Sequence, residues 1–218
     1  MNTLGTELST QLFRPVTWTT QSASSWPAAG YPGRRPKGSW LMEPDGTLRG
    51  LDPADSGWQD RDTGKNIDLS NRHLVLAYGS NPDPRKLLAR QGFFGGDRVI
   101  ALRAVIFGWG AAWCDARRRT EDKSVVATLV TAPGRAEVHP VFALTPHQLA
   151  EMDRWEGHPT VYQRRAHVGE VLLEPGERAG DVQVYLGVEK RRPALIVTGQ
   201  PVLCADMPQS EVDRLVER

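Results

Sequence analysis

Between Val99 and Leu144 the chain carries four apolar, β-branched-rich segments, Val99 to Phe107, Ala111 to Cys114, Val125 to Thr131 and Val138 to Leu144, each bounded by turn residues. This succession constrains the fold more than any other feature. Strand-sized runs at that spacing satisfy their backbone groups by pairing with one another, and they would build most of one sheet or barrel. With 21 Gly and 16 Pro among 218 residues, the composition points to many turns and away from an all-helical bundle. At that length a core stands without disulfides or a structural metal.

The flanking regions read differently. From Thr17 to Ser39 the sequence is rich in Ser, Thr, Ala, Gly and Pro and has no period, as in an extended arm. Trp40 to Leu48 places a Pro44-Asp45-Gly46 turn between two short apolar pieces, which predicts a hairpin. Polar residues from Asp52 to Asn71 read as a linker, so the chain divides into an irregular extension, residues 1–71, and a main domain, residues 72–218. Trp18, Trp26, Trp40 and Trp58 all precede that boundary. Tryptophan's large apolar area predicts that the arm lies against the main domain or a second subunit. Exposed tryptophans would favour a homodimer, and nothing else in the sequence decides the oligomeric state.

In the main domain, His73 to Tyr78 is a short apolar run followed by Gly-Ser-Asn, and Asp83-Pro84 caps a helix to about Arg90. Thr145-Pro146-His147-Gln148 combines a Thr cap, Pro in the first position and Gln at the third, with Gly157 as the stop. Tyr162 to Leu172 and Val182 to Leu186 read as further strands, and Ser210 to Glu217 as a terminal helix.

Composition narrows the function. The formal charge is +1, and the longest apolar runs, such as Val125 to Val130, fall far short of the roughly 20 residues that span a bilayer. Neither nucleic acid nor membrane is expected as a partner. Arg117-Arg118-Arg119, Arg164-Arg165 and Arg191-Arg192 read as solvated faces or as contacts to an anionic substrate. Met1 to Trp18 has no apolar core of a secretory signal, so a cytoplasmic protein is expected. Cys114 and Cys204 make neither a disulfide framework nor a metal spacing, and the five histidines show no metal-binding pattern, so no metal is expected.

Two segments carry chemistry. On the helix from Pro146 to Glu156, Leu149, Met152 or Asp153, and Glu156 share one face, so Glu156 stands beside apolar residues at the negative end of the helix dipole. Both effects raise a carboxylate toward the range of a general base. The alternative is a half-exposed Glu156 paired with Arg164, Arg165 or Arg154. In the second segment, Tyr78-Gly79-Ser80-Asn81, successive backbone N–H groups between strand and helix can bind an oxyanion or carboxylate, although such a turn is often only a turn. A Ser80 nucleophile is disfavoured, because no G-x-S-x-G pattern surrounds it and the histidines lack an acidic orienter in sequence.

Tyr78-Gly79-Ser80-Asn81 after a β-run, then about seventy-five residues later Asp153-Arg154-Trp155-Glu156-Gly157, then Tyr162-Gln163-Arg164-Arg165, resembles the γ-glutamylcyclotransferase and AIG2-like family. Ala127-Thr128-Leu129-Val130, Pro133-Gly134 and Val138 to Phe142 look like its central strands, and the likeness spans Leu74 to Leu186. The resemblance implies an α+β fold, a mixed β-barrel or sheet with a few short helices. It also implies cofactor-independent release of 5-oxoproline and an amine from a small γ-glutamyl substrate. Carried over, Glu156 is the acid/base, Gly79, Ser80 and Asn81 the substrate-binding turn, and Tyr78 and Tyr162 pocket walls. A catalytically silent binding protein that keeps the fold is the alternative. The chain departs from the pattern at Pro82, which follows Asn81 and removes an N–H, and at Pro140, which argues for an edge or bulge. His158, near Glu156 in sequence, is either a surface loop residue or a substrate contact.

Overall fold

The structure, a computed structural model, describes residues 13–14, 16–55, 57–118, 123–174 and 176–216. Residues 1–12, Arg119 and Glu217, on which parts of the sequence reading rest, lie outside the described residues. The strands are β1 (Gln21–Ser22), β2 (Ser39–Met42), β3 (Thr47–Ala54), β4 (Gly57–Asp60), β5 (Asn66–Ile67), β6 (His73–Leu76), β7 (Val99–Arg117), β8 (Val125–Leu144), β9 (Tyr162–Ala166), β10 (Val171–Leu173), β11 (Glu177–Arg178), β12 (Gln183–Gly187), β13 (Ile196–Val197) and β14 (Gln200–Pro201). The helices are α1 (Pro84–Leu88), α2 (Pro146–Glu156) and α3 (Gln209–Val216). None of the described helices is long and apolar enough to cross a membrane.

Twelve strands form one mixed sheet in the order β5-β4-β3-β2-β7-β8-β6-β12-β9, with β1 on β3, β10 on β7 and β11 on β10. Its spine is the hairpin of β7 and β8, into which the four expected segments merge in pairs. Phe107 pairs with Ala136 and Trp109 with Thr131, so residues 132–135 of β8, including Pro133-Gly134, bulge opposite Gly108. Side chains alternate across the sheet. Leu41, Ile100, Leu102 and Val141 enter one core, whereas Trp40, Met42, Val99, Ala101 and Phe142 enter another under α1 and α2. Burial on both faces explains why the central runs are apolar almost throughout.

Three expectations are corrected. The sheet does not close into a barrel: among the described residues no pairing joins β5 to β9. Beyond Phe107 the two long strands pair with each other from Trp109–Thr131 to Arg117–Val125, and the far side of β7 meets the 193–204 segment through the isolated bridges Ala112–Leu203 and Cys114–Ala194. The stretch read as irregular extension and linker instead supplies β2 to β5 to the same sheet, so strands on both sides of residue 71 are continuous. Trp40 and Trp58 are buried there, and Trp18 and Trp26 are half-buried with their indole N–H groups donating to Lys37 O at 2.6 Å and Arg34 O at 3.0 Å. Pro140 sits within the central strand β8 rather than at an edge, opposite Arg103. Its carbonyl accepts from Ala77 N at 2.9 Å just past the end of β6, so the missing N–H removes only a last rung of that ladder.

Candidate active site

Strand β6 delivers the chain into a tight loop over residues 77–83. Tyr78 is buried and its hydroxyl donates to the carbonyl of Tyr185 on β12, which pins the loop to the parallel neighbour of its own strand. Asp83 N donates to Ser80 O at 3.2 Å and closes a turn whose third residue is Pro82. The Asp83 side chain then accepts from Arg85 N at 3.0 Å and starts α1, with Pro84 in the first helical position. A proline that costs the turn one donor thus also leads into a pre-formed cap.

Helix α2 begins with the capping box read from sequence, Gln148 N donating to Thr145 Oγ1 at 3.2 Å and Thr145 N to Gln148 Oε1 at 3.1 Å. It ends at Gly157 with φ of 60°, a left-handed stop that glycine adopts without penalty. Leu149 and Met152 bury one face, which carries Glu156 in the last turn. Glu156 Oε1 accepts from Asn81 Nδ2 at 2.6 Å, and the same nitrogen lies 3.2 Å from the sulfur of Met152. The arginines that were alternative partners are engaged elsewhere, Arg164 with Asp153, Arg154 with Glu151 and Arg165 with Gln163. Burial raises the Glu156 pKa above the usual carboxylate value, and the Asn81 bond, Arg90 and Arg192 offset only part of that rise.

A cavity of about 460 Å³ opens above this carboxylate, and Tyr78, Gly79, Ser80, Asn81, Glu156 and Tyr162 all line it. Tyr162 is tied by its hydroxyl to Ala127 O at 2.9 Å. Burial drives both tyrosine pKa values well up, so the two phenols stay neutral and serve as walls. His158 does not line the cavity, and its Nδ1 accepts from Arg164 N at 3.2 Å. Asp153, one turn before Glu156, accepts from Arg164 Nε at 2.8 Å and from the hydroxyl of Tyr185 at 2.7 Å. Burial would raise its pKa, but these bonds outweigh burial and hold it below the usual value. Two carboxylates three positions apart therefore have opposite characters. Among the described residues no group of three or more His, Cys, Asp or Glu could hold a metal ion.

Several lining residues escaped the sequence reading. Tyr31 reaches in from the N-terminal segment, its hydroxyl accepting from Ala127 N at 2.8 Å and standing 3.3 Å from where a Cβ on Gly79 would lie. Arg90 lies 3.8 Å over the ring of Trp155, which stacks on Phe93 at 4.6 Å. Arg192 Nη1 donates to the carbonyls of Arg117 and Arg191, both at 3.2 Å. Neither arginine has a carboxylate partner closer than an ion pair requires among the described residues. The only sequence signal for them was the Arg191-Arg192 cluster.

No family model and no curated protein matches the chain. Among solved structures it is similar to a γ-glutamyl cyclotransferase at 17% identity, over 54% of this chain and 67% of that one, with a TM-score of 0.44. It is likewise similar to an AIG2-like protein of Mus musculus at 18% identity, over 54% and 78%, with a TM-score of 0.39. A third is a yeast γ-glutamyl cyclotransferase described as specific to glutathione, at 16% identity over 60% and 75%, with a TM-score of 0.39.

Proposed function

We propose that the chain cleaves a γ-glutamyl amide by internal ring closure, releasing 5-oxoproline and an amine, with Glu156 as the proton-transferring group. The observation that carries this reading is Glu156 itself, a carboxylate raised by burial, hydrogen-bonded to Asn81, and facing a cavity walled by the Tyr78 to Asn81 loop. The sequence resemblance to the cyclotransferase family supplies the reaction. In the ring closure Glu156 takes a proton from the substrate's α-ammonium, and the freed amine attacks its own γ-carbonyl to form a tetrahedral oxyanion. Loop N–H groups bind negative charge on the substrate or on that oxygen. As the C–N bond to the leaving amine breaks, Glu156 returns its proton to the departing nitrogen and takes the second proton from the ring nitrogen, which is left as the lactam N–H; that proton then passes to the released amine, which departs as an ammonium. Water is neither consumed nor released, so atoms and charge balance within the substrate. Nucleophile and electrophile share one molecule, and holding them in reactive geometry removes about 7 to 11 kcal/mol of barrier.

The rim refines the substrate class. Arg90 and Arg192 add positive charge beside Glu156, and a leaving amine that bears a negative group would complement them. Purified protein and its Glu156→Gln variant, incubated with γ-glutamyl amino acids and uncharged γ-glutamyl alkylamines, test both statements by mass spectrometry of 5-oxoproline and free amine. Expected are product from the wild type alone and kcat/KM about tenfold or more higher for the amino acids, in line with one charge-assisted hydrogen bond. Release of glutamate would mean hydrolysis and defeat ring closure. Silence across the panel would favour a binding protein.

A further inference from the structure

The carbonyls of Tyr78 and Gly79 both accept from Arg35 Nη2, the latter at 2.8 Å. In a planar trans peptide the N–H points opposite to the C=O. Fixing those two carbonyls on one side therefore turns the N–H groups of Gly79 and Ser80 to the other. Arg35 stands behind the loop on the wall of a second hollow, whereas Gly79 and Ser80 line the cavity that holds Glu156. Neither N–H has an acceptor among the described residues.

Arg35 is itself held. Its Nη1 lies 3.1 Å from Nδ1 of buried His139, whose Nε2 is 2.8 Å from Glu137 Oε2, and that carboxylate also accepts from Ala111 N at 3.0 Å. Arginine only donates, so His139 Nδ1 accepts and the proton sits on Nε2, directed at Glu137. A chain of polar contacts thus runs from β8 through His139 to one arm of a guanidinium whose other arm, Nη2, donates to two consecutive carbonyls. We propose that Arg35, contributed by the N-terminal segment, is a positioning residue that orients the Gly79 and Ser80 amides to bind a carboxylate or oxyanion in the cavity. Naming that anion as part of a γ-glutamyl substrate rests on the cyclotransferase reading; the orientation does not.

The test uses the full chain, labelled with ¹⁵N and titrated with 5-oxoproline as the carboxylate probe. In the wild type the Gly79 and Ser80 amide signals are expected to move saturably. Arg35→Lys keeps a buried positive charge but loses the planar fork. It and Arg35→Gln are expected to remain folded by thermal melting, to bind the probe at least tenfold more weakly, and to show a raised KM with a lowered kcat. His139→Leu, which removes the anchor of Nη1 and keeps the guanidinium, is expected to weaken binding in the same direction by a smaller factor, so the result does not hang on folding of the Arg35 variants. Wild-type binding through these amides without any ring closure would leave Arg35 in its role and remove the cyclotransferase reading. Probe affinity in Arg35→Lys equal to wild type, or wild-type amide signals that do not move, would overturn the proposal.

Discussion

Asn81→Leu isolates what sets the acidity of Glu156. The wild-type carboxylate is raised by burial and pulled partly back by the 2.6 Å bond from Asn81. Leucine fills a similar volume and donates nothing. A hydrogen bond to a charged group contributes about 1.5 to 3 kcal/mol, and each pKa unit corresponds to about 1.36 kcal/mol, so losing the bond should raise Glu156 by about 1 to 2 further units. The sign follows from which form is stabilised: Asn81 donates to the ionised carboxylate, and removing it favours the protonated acid. Titration of the Glu156 carboxyl carbon by ¹³C NMR reads the shift directly. If Glu156 is the base, the acidic limb of the pH–rate profile moves upward by the same amount, because the protonated acid cannot take the α-ammonium proton. An NMR pKa that stays or falls would refute the electrostatic reasoning. An NMR shift without a matching move of the kinetic limb would remove Glu156 as the base.

Arg90→Gln should raise the same pKa by a smaller amount, since this exposed cation acts through solvent, and the same titration reads it. Because folding raises the Glu156 pKa, its stabilising share is complete below the unfolded value, about 4.3, and is lost as pH rises through the folded value. Glu156→Gln should therefore melt above wild type at neutral pH, with the gap closing in acid. Arg103→Gln strands Glu174, whose carboxylate accepts from Arg103 Nε at 3.2 Å in a pair that is 10% and 18% exposed, and should cost about 3 kcal/mol in urea unfolding. Gly33→Ala places a Cβ 2.2 Å from Asp83 Oδ2 at a φ of +90°, and should lower the melting temperature by disturbing the cap of α1.

What the sequence disclosed was local. The box Thr145 to Gln148 and its stop at Gly157 are settled within a few residues, and they place Glu156 on its face and at its helix end. The partner that matters, Asn81, lies 75 residues away, and helical spacing offered three nearer arginines instead. The strands Gly57–Asp60 and Asn66–Ile67 were missed for a related reason. Only Trp58, Asp60 and Ile67 turn inward, and buried Asp60 is a polar residue whose place is secured by Arg49 at 2.8 Å, so the segment reads as linker. Tyr31 and Arg35 stand in a Gly- and Pro-rich stretch without period, and their roles come from residues 96 and 104 positions away. Neither the closure of a sheet nor its failure to close leaves a local trace.

The parallel pairing of β6 with β12, sealed by the bond from Tyr78 to Tyr185 across 107 residues, also bears on the order of assembly. Joining positions so far apart requires closing a long loop of chain before any contact repays the entropy, which makes it a slow event in a β-rich topology. The hairpin of β7 and β8 is local by comparison and can form early. The cavity wall that faces Glu156 is then a late product of folding. During synthesis, a nascent chain that has not yet released β12 from the ribosome would hold a formed spine and an unformed pocket, and turnover would begin only after that strand docks.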